Sequence, residues 1–207
     1  MTDPQWLIWA KALQAVSQNG LMYAENPFDL ERYEAVRVIA AEILAAYGAV
    51  DKEVVLDLFR QQSGYATPKV DVRGVVFRED QILLVRERID NCWSLPGGWA
   101  DVNESPREAV EREVWEESGY QAKAVKLLAV YDRSKHGHRP VRPFHVYKLF
   151  ILCQLSGGFS TTSLETSAVG FFDEDALPEL SIARITPQQI ARFFVHHRQP
   201  DLPTDFD

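Results

Sequence analysis

The segment between Ser105 and Gly119 carries both a start and a stop signal for one helix. Ser105 is a good N-cap residue, Pro106 suits the first helical position, and Glu108 stands three residues after the cap, which together spell a capping box. Gly119 is the residue type that most often ends a helix in the left-handed conformation. Because both ends are fixed by local chemistry, the sequence predicts a short helix here, around which the rest of the chain is organised.

One flank of this predicted helix is acidic. Glu113, Glu116 and Glu117 are spaced i, i+3 and i+4, so their side chains fall on the same side. Crowded carboxylates make one another harder to ionise, and a divalent cation removes that penalty. Oxygen ligands with no cysteine and little histidine among them favour Mg²⁺ or Mn²⁺ over Zn²⁺. The alternative is a solvated acidic face, because charge runs usually face water.

The stretch that contains this helix resembles the Nudix box, Gly-x5-Glu-x7-Arg-Glu-U-x-Glu-Glu-x-Gly-U, in which U is a bulky apolar residue. Every fixed place is filled, by Gly98, Glu104, Arg112, Glu113, Val114, Glu116, Glu117, Gly119 and Tyr120. The resemblance implies an α/β fold, a Nudix-type α/β/α sandwich with a mixed sheet. It also implies an enzyme that uses Mg²⁺ or Mn²⁺ to hydrolyse a pyrophosphate bond in a nucleoside diphosphate linked to another moiety.

The same resemblance assigns roles to individual residues. The implied metal-binding residues are Glu113, Glu116, Glu117, Gly98 and Glu104, the last acting through a water molecule. Arg112 would orient the glutamates through an ion pair. The general base is either Glu117 or Glu165, which lies on a later loop where several Nudix groups carry such a residue. An ordinary exposed loop carboxylate is the alternative for Glu165.

A basic run stands out in an otherwise acidic protein. Between residues 132 and 142 it contains Arg133, Lys135, His136, His138, Arg139 and Arg142. Such a run could clamp a phosphate or head group near the metal site, although a solvated loop is the usual explanation. The predicted substrate-binding residues are Arg133, His136 and Arg139, together with Arg86 and the glycine Gly97, whose backbone can approach phosphates closely.

The composition restricts the class of partner. The 207 residues include 22 basic and 30 acidic side chains, for a net charge of −8. This charge disfavours general binding to nucleic acid or to anionic membranes, so RNA is a possible but unlikely substrate. No apolar run approaches the roughly 20 residues of a membrane span, and the first residues lack the features of a signal peptide. We therefore expect a cytoplasmic protein that does not bind a membrane.

The first part of the chain is predicted to be helical. A first helix opens at Pro4 and is expected to end at Asn19-Gly20, and a second is expected to be capped by Asp29. Asp51 is expected to cap a third. We divide the chain into a helical region over residues 1–62, a linker over 63–68 and a catalytic domain over 69–207.

Beyond the linker the apolar period changes to two, which indicates strands. We predict strands over residues 69–77, 81–88, 122–131, 144–154 and 169–172. A last helix is expected to begin at Thr186-Pro187. This order of strands and helices favours an α/β domain preceded by a small all-helical region.

Features outside the box bear on the substrate. The helical N-terminal region, the stretches 86–103 and 144–148, and the ending 177–181 look like the CDP-choline pyrophosphatase group. That resemblance implies cleavage of CDP-choline to CMP and phosphocholine, in an enzyme whose N-terminal helices contribute to a homodimer. ADP-ribose hydrolysis is the nearest alternative. A third alternative is a sensor that binds a nucleotide without cleaving it.

Overall fold

The chain divides into two units in the computed structural model, which describes residues 3–48 and 50–207. The first unit comprises Met1–Pro68 together with Val141–His145, and the second comprises Lys69–Pro140 together with Val146–Asp207. The segment 141–145 is a departure from the predicted division, which assigns it to the catalytic domain. Val141 packs against the apolar core of the helices, a long-range contact for which the sequence carries no local signal.

Three helices form the first unit: α1 (Gln5–Tyr23), α2 (Pro27–Gly48) and α3 (Lys52–Arg60). Their shared core includes Leu7, Ala10, Ala40 and Phe59, all without exposed surface. No helix among the described residues is long and apolar enough to cross a membrane.

Two of the predicted helix ends are wrong. Helix α1 continues through Gly20 to Tyr23. A Cβ atom on Gly20 would stand only 2.3 Å from the ring of Tyr33, so a larger residue would not fit at this position. This glycine makes room for an aromatic ring and does not end the helix. Helix α2 begins before Asp29, and the side chain of Asn26 accepts a hydrogen bond from the Phe28 amide at 2.9 Å.

The cap of α3 is confirmed. The carboxylate of Asp51 accepts hydrogen bonds from the amides of Glu53 and Val54, at 2.8 and 3.3 Å. These bonds satisfy amides that have no partner within the helix.

The second unit is built on a mixed seven-stranded sheet. Its strands are β1 (Lys69–Arg78), β2 (Gln81–Glu87), β3 (Trp93–Ser94), β4 (Tyr120–Asp132), β5 (Val146–Gly158), β6 (Thr166–Phe172) and β7 (Asp205–Phe206). The order is β3-β2-β1-β5-β4-β7, and β6 pairs with β2. Strand β1 runs parallel to β5 and antiparallel to β2. Five strands were predicted to within a few residues, whereas β3 and β7 are too short to show a period.

Helices cover the two faces of this sheet. The helix α4 (Pro106–Ser118) packs Val110 and Val114 against one face, and α5 (Pro187–Arg198) packs Ile190 and Phe193 against the other. Successive side chains of a strand alternate between these two cores, as the period of two predicts. The expected α/β/α sandwich is confirmed.

Helix α4 lies unusually close to β1. A Cβ atom on Gly74 would stand 2.4 Å from a methyl group of Val114, so only glycine allows the helix this approach. The residues just before α4 run alongside β1 as a further antiparallel segment, through bonds from Val72 to Gly98 and from Ala100 to Val70. The acidic helix and its preceding loop are thereby fixed to the same strand.

Candidate active site

The ends of α4 have the chemistry that the sequence predicts. The Ser105 hydroxyl accepts a bond from the Glu108 amide at 3.3 Å, and the Glu108 carboxylate accepts one from the Ser105 amide at 2.9 Å. Gly119 ends the helix with φ of 75°. The capping box and the left-handed end are both confirmed, and they fix which residues of the helix face the sheet.

The glycine loop, residues 95–98, is hydrogen-bonded to β1 on both sides of Gly97. The Gly74 amide donates to the Pro96 carbonyl and the Val72 amide to the Gly98 carbonyl, each at 2.8 Å. Gly97 has φ of 141°, and a Cβ atom there would stand 2.1 Å from the Val72 carbonyl oxygen. Only glycine fits such a position, because both the dihedral angle and the space exclude a side chain.

Glu117 points into this loop from the last turn of α4. Its side chain accepts a hydrogen bond from the Gly97 amide at 2.9 Å, and the residue is only 5% exposed. Burial raises the pKa of Glu117 to about 8, against the opposing influence of Arg73 and of the Gly97 amide. The nearby carboxylates Glu87 and Glu113 raise this pKa further. A divalent cation bound next to this carboxyl group would favour its ionised form.

Glu113 lies one turn earlier against the next glycine. Its two carboxylate oxygens are 3.1 and 3.2 Å from the position that a Cβ of Gly98 would occupy. Burial raises the pKa of Glu113, and its bond from Arg112 opposes that shift. Glu113 and Glu117 thus present two partly desolvated carboxylates to the glycine loop.

Arg112 forms hydrogen bonds with three glutamates of the box. It donates to both oxygens of Glu104 at 2.8 Å, to Glu113 at 3.0 Å and to Glu116 at 2.9 Å. This is the geometry expected of an orienting ion pair. Glu116 is exposed and turned toward the arginine. Among residues 3–48 and 50–207, no three acidic, histidine or cysteine side chains are already gathered around a common metal position.

The donor set nevertheless fits a hard divalent cation. All candidate ligands are carboxylate or backbone oxygens, which suit Mg²⁺ or Mn²⁺. A cation beside Glu113 and Glu117 would offset the burial that now raises the pKa of both groups. Glu116 bonds to Arg112 through one oxygen and is not gathered with Glu113 and Glu117 among the described residues, so the predicted convergence of three glutamates requires a change of side-chain conformation.

Glu165 lies on a loop that packs against the end of α4. The Thr161 amide donates to the Ser118 carbonyl at 2.9 Å, and the Thr166 hydroxyl donates to the Glu117 carbonyl at 2.8 Å. The side chain of Glu165 is exposed, and its charge contributes to the raised pKa of the buried Glu87. The structure therefore brings Glu165 to the same end of the helix as the candidate metal ligands.

The basic run is only partly available to a substrate. Arg133 is buried and donates to the carbonyls of Pro140 and Ala183 at 2.9 and 3.2 Å. His136 stacks on Tyr131 and lies 3.0 Å from the Asp207 carboxylate. Both side chains thus have structural partners within the described chain.

The other two predicted substrate-binding side chains are exposed. Arg139 lies at the surface, and Arg86 lies at the end of β2. The side chain of Arg86 donates to the Asn91 carbonyl at 2.9 Å. Neither is enclosed by the protein, so both are open to a ligand.

Sequence reasoning missed two groups at this site. Glu87, at the end of β2, is buried and forms an ion pair with Arg184 at 2.8 Å. Asp71 and Arg73 lie in β1 and are also buried. Charged residues within an apolar strand were an available signal, because such groups are buried only when they are paired.

A hydrolase is the class of protein that this fold and site define, with two carboxylates of α4 placed next to a glycine loop. The chain belongs to the Nudix family: the model described as the NUDIX domain matches residues 67–193. A second model, described as a UDP-X-like, N-terminal oligomerisation domain, matches residues 4–59. The protein is therefore a Nudix pyrophosphohydrolase, and Nudix hydrolases generally use divalent metal ions.

Three similar proteins cover most or all of the chain. A putative ADP-ribose pyrophosphatase of Bacillus subtilis is 48% identical over 98% of this chain and 97% of its own length. An ADP-ribose pyrophosphatase structure from Streptococcus suis is 43% identical, covers 68% of this chain and 100% of its own, and has a TM-score of 0.63. A UDP-X diphosphatase structure is 33% identical, covers both chains fully and has a TM-score of 0.64.

Proposed function

We propose that the protein hydrolyses the pyrophosphate bond of a nucleoside diphosphate sugar, with ADP-ribose as the first candidate, using Mg²⁺ or Mn²⁺ held by Glu113, Glu116 and Glu117. The observation that carries the proposal is the buried carboxylate of Glu117, held 2.9 Å from the Gly97 amide beside a second desolvated carboxylate. A carboxyl group in that setting is ionised readily only when a cation lies next to it. Gly98 would contribute backbone to the same site.

The protein's residues position the reacting groups. A divalent cation held by the box glutamates would offset the charge of the pyrophosphate and favour deprotonation of the attacking water. Arg112 holds the box glutamates in place, and backbone bonds from Val72 and Gly74 hold the glycine loop beside them. The water oxygen bonds to one phosphorus while that phosphorus loses its bond to the bridging oxygen, which leaves on the other phosphate. With ADP-ribose the products are AMP and ribose 5-phosphate, and no covalent enzyme intermediate is required.

We propose Glu165 as the general base. Its exposed carboxylate lies on the loop that packs against the end of α4, next to the candidate metal ligands. Glu165→Gln should lower kcat by about 100-fold with little change in KM, because a positioned base contributes to the chemical step. The matched control is Glu174→Gln, an exposed glutamate paired with Arg198. Near-normal turnover in the Glu165 variant would leave Glu117 as the base.

The choice of ADP-ribose is supported by the name of the relative that aligns along nearly the whole chain. CDP-choline, predicted from the residues outside the box, remains the second candidate. UDP-linked compounds are a third, since the N-terminal model and one full-length structural neighbour carry that description. All three share the bond that the site is proposed to cleave and differ only in the base and the linked moiety.

The deciding experiment compares hydrolysis of ADP-ribose, CDP-choline, UDP-glucose, a nucleoside triphosphate and a short RNA, with Mg²⁺, with Mn²⁺ and with chelator. We expect metal-dependent release of AMP from ADP-ribose at the highest kcat/KM. Preference for CDP-choline or UDP-glucose would retain the chemistry and replace the substrate. Activity that survives in chelator, or in Glu117→Gln, would contradict the proposed metal site.

We also propose that the helical unit forms a homodimer. It exposes several large aromatic side chains, among them Trp9, Phe28 and Tyr47. Its family model is described as an oligomerisation domain. Exposed aromatic side chains of this size are enriched at protein interfaces.

A further inference from the structure

A buried charged triad connects two parallel strands behind the glycine loop. Asp71 on β1 and Lys148 on β5 occupy paired positions in the sheet, and Arg73 lies two residues further along β1 on the same face. The guanidinium of Arg73 donates to both oxygens of Asp71 at 3.0 and 2.9 Å, and the ammonium of Lys148 donates to Asp71 at 2.5 Å. Charges with this little exposure persist only when they are paired in this way.

Arg73 has one nitrogen that does not serve this triad. Its Nη1 donates to the Leu95 carbonyl at 3.1 Å, with the Ser94 hydroxyl at 3.5 Å. Leu95 is the residue from which the glycine loop starts. The guanidinium therefore connects the interior of the sheet to the loop that carries Gly97.

The bond from Arg73 completes the attachment of that loop to β1. The Gly74 amide donates to the Pro96 carbonyl, and the Val72 amide donates to the Gly98 carbonyl. Arg73 lies between them in sequence, and its side chain donates to the Leu95 carbonyl. These bonds fix the peptide whose amide donates to Glu117. A substitution of Arg73 that lets the loop move would therefore change the hydrogen bond between Gly97 and Glu117.

The guanidinium of Arg73 is only 5% exposed, so water competes little with its hydrogen bonds to Asp71 and to the loop.

We propose that Arg73 is a positioning residue of the active site, which holds the loop from Leu95 to Gly98 so that Gly97 and Glu117 keep the geometry required by the divalent cation. The inference rests on the proposed metal site and names a residue outside the Nudix box as part of its support. Arg73 does not need to touch substrate or metal for this role.

Lys148 provides a matched control. Like Arg73 it is a buried basic side chain that bonds to Asp71. Its side chain donates to Asp71 and not to the loop, so replacing it disturbs the same buried carboxylate without removing the contact between Arg73 and Leu95. Arg73→Met and Lys148→Met therefore separate support of the site from general stability.

The test is an electron paramagnetic resonance titration of Mn²⁺ with the full-length wild type and both variants, accompanied by kcat, KM and thermal denaturation. For Arg73→Met we expect Mn²⁺ affinity and kcat to fall by about 10-fold or more, as for other residues that support metal ligands, with KM within about threefold. Lys148→Met should be destabilised but should retain Mn²⁺ affinity and kcat within about threefold of wild type. Arg73→Lys keeps the charge and should recover part of the loss.

Equal Mn²⁺ affinity and equal kcat in Arg73→Met and wild type would overturn this inference alone. Equal losses in the arginine and lysine variants would also overturn it, since they would show a purely structural role. If the wild type binds no Mn²⁺, the proposed metal site itself fails. Should Arg73→Met not fold, the comparison of Arg73→Lys with Lys148→Met decides, and wild-type behaviour of Arg73→Lys in both measurements would count against the loop contact.

Discussion

Folding and metal binding favour different ionisation states of the Glu117 carboxyl group. Burial disfavours its ionised form, whereas a metal ligand must be ionised. Its raised pKa means that the free protein below about pH 8 holds this group mainly as the neutral acid. Binding of a divalent cation should therefore release a proton from the site at neutral pH.

This shift predicts how the stability of the metal-free protein depends on pH. The folded pKa of Glu117, about 8, lies above the ordinary value of 4.5, so its contribution to stability is fully present below pH 4.5 and is lost as pH rises toward 8. Glu117→Gln cannot ionise. The melting temperature of the variant, relative to that of wild type, should therefore increase as pH rises from 5 to 8. An increase of several degrees corresponds to a few kcal/mol in the free energy of unfolding.

The measurement is thermal denaturation in chelator across this pH range. A constant offset between Glu117→Gln and wild type across this range would show that burial does not raise the pKa of Glu117.

The limits of sequence reasoning are also visible residue by residue. The caps of α4 were predictable because Ser105, Glu108 and Gly119 act on amides within a few positions of themselves. Lys148, one of the two partners of Asp71, is 77 positions away on a parallel strand, and no local pattern indicates that pairing. The box glutamates could be assigned to the active site because their pattern is local in sequence. The proposed role of Arg73 depends on contacts between distant residues, which only the fold shows.

At the scale of elements, α4 and the glycine loop are held by β1 as one assembly. Gly74 lets the helix approach the strand, and Gly97 lets the loop approach it from the side. Periodicity and capping predicted the two secondary elements. The absence of a side chain at Gly74 gave no such signal, since a glycine within a strand is compatible with several structures.

Gly97→Ala should damage both stability and activity. The added Cβ would stand 2.1 Å from the Val72 carbonyl at a positive φ, so the loop must move away from β1. We expect a loss of about 1–3 kcal/mol in the free energy of unfolding, as for other overpacked sites, together with a large loss of kcat. Chemical denaturation and steady-state kinetics measure the two effects.

Gly157→Ala is the control for this substitution. A Cβ there would meet only the end of the exposed Gln121 side chain, at 3.3 Å. Its effect on the free energy of unfolding should stay within about 0.5 kcal/mol. Equal effects of the two alanines would contradict a special requirement for glycine at Gly97.

At the scale of the whole molecule, the helical unit has a small core and a surface rich in aromatic residues. Four of its eight core residues are alanine or valine, so burial within the unit yields less free energy than a larger core would. Association with a second copy would bury additional apolar surface. Which aromatic side chains of the helices remain exposed became known only from the packing of the helices.

The proposed dimer predicts a response to charge on this surface. Trp9 is 58% exposed on α1, and Trp9→Glu should shift the protein from dimer toward monomer in analytical ultracentrifugation, because a buried unpaired carboxylate opposes association. Val125→Glu changes an exposed apolar residue of the second unit and should remain dimeric. A wild type that sediments as a monomer at micromolar concentration would contradict the dimer.

The assignment of residues 141–145 to the helical unit has a consequence for recombination of such proteins. The polypeptide contributes to that unit from two separated parts of the sequence, one before β1 and one between β4 and β5. Exchange of the first 68 codons with those of a relative would thus pair a foreign helical unit with a native pentapeptide. A chimera designed with a single crossover should express less well than one in which both stretches come from the same parent.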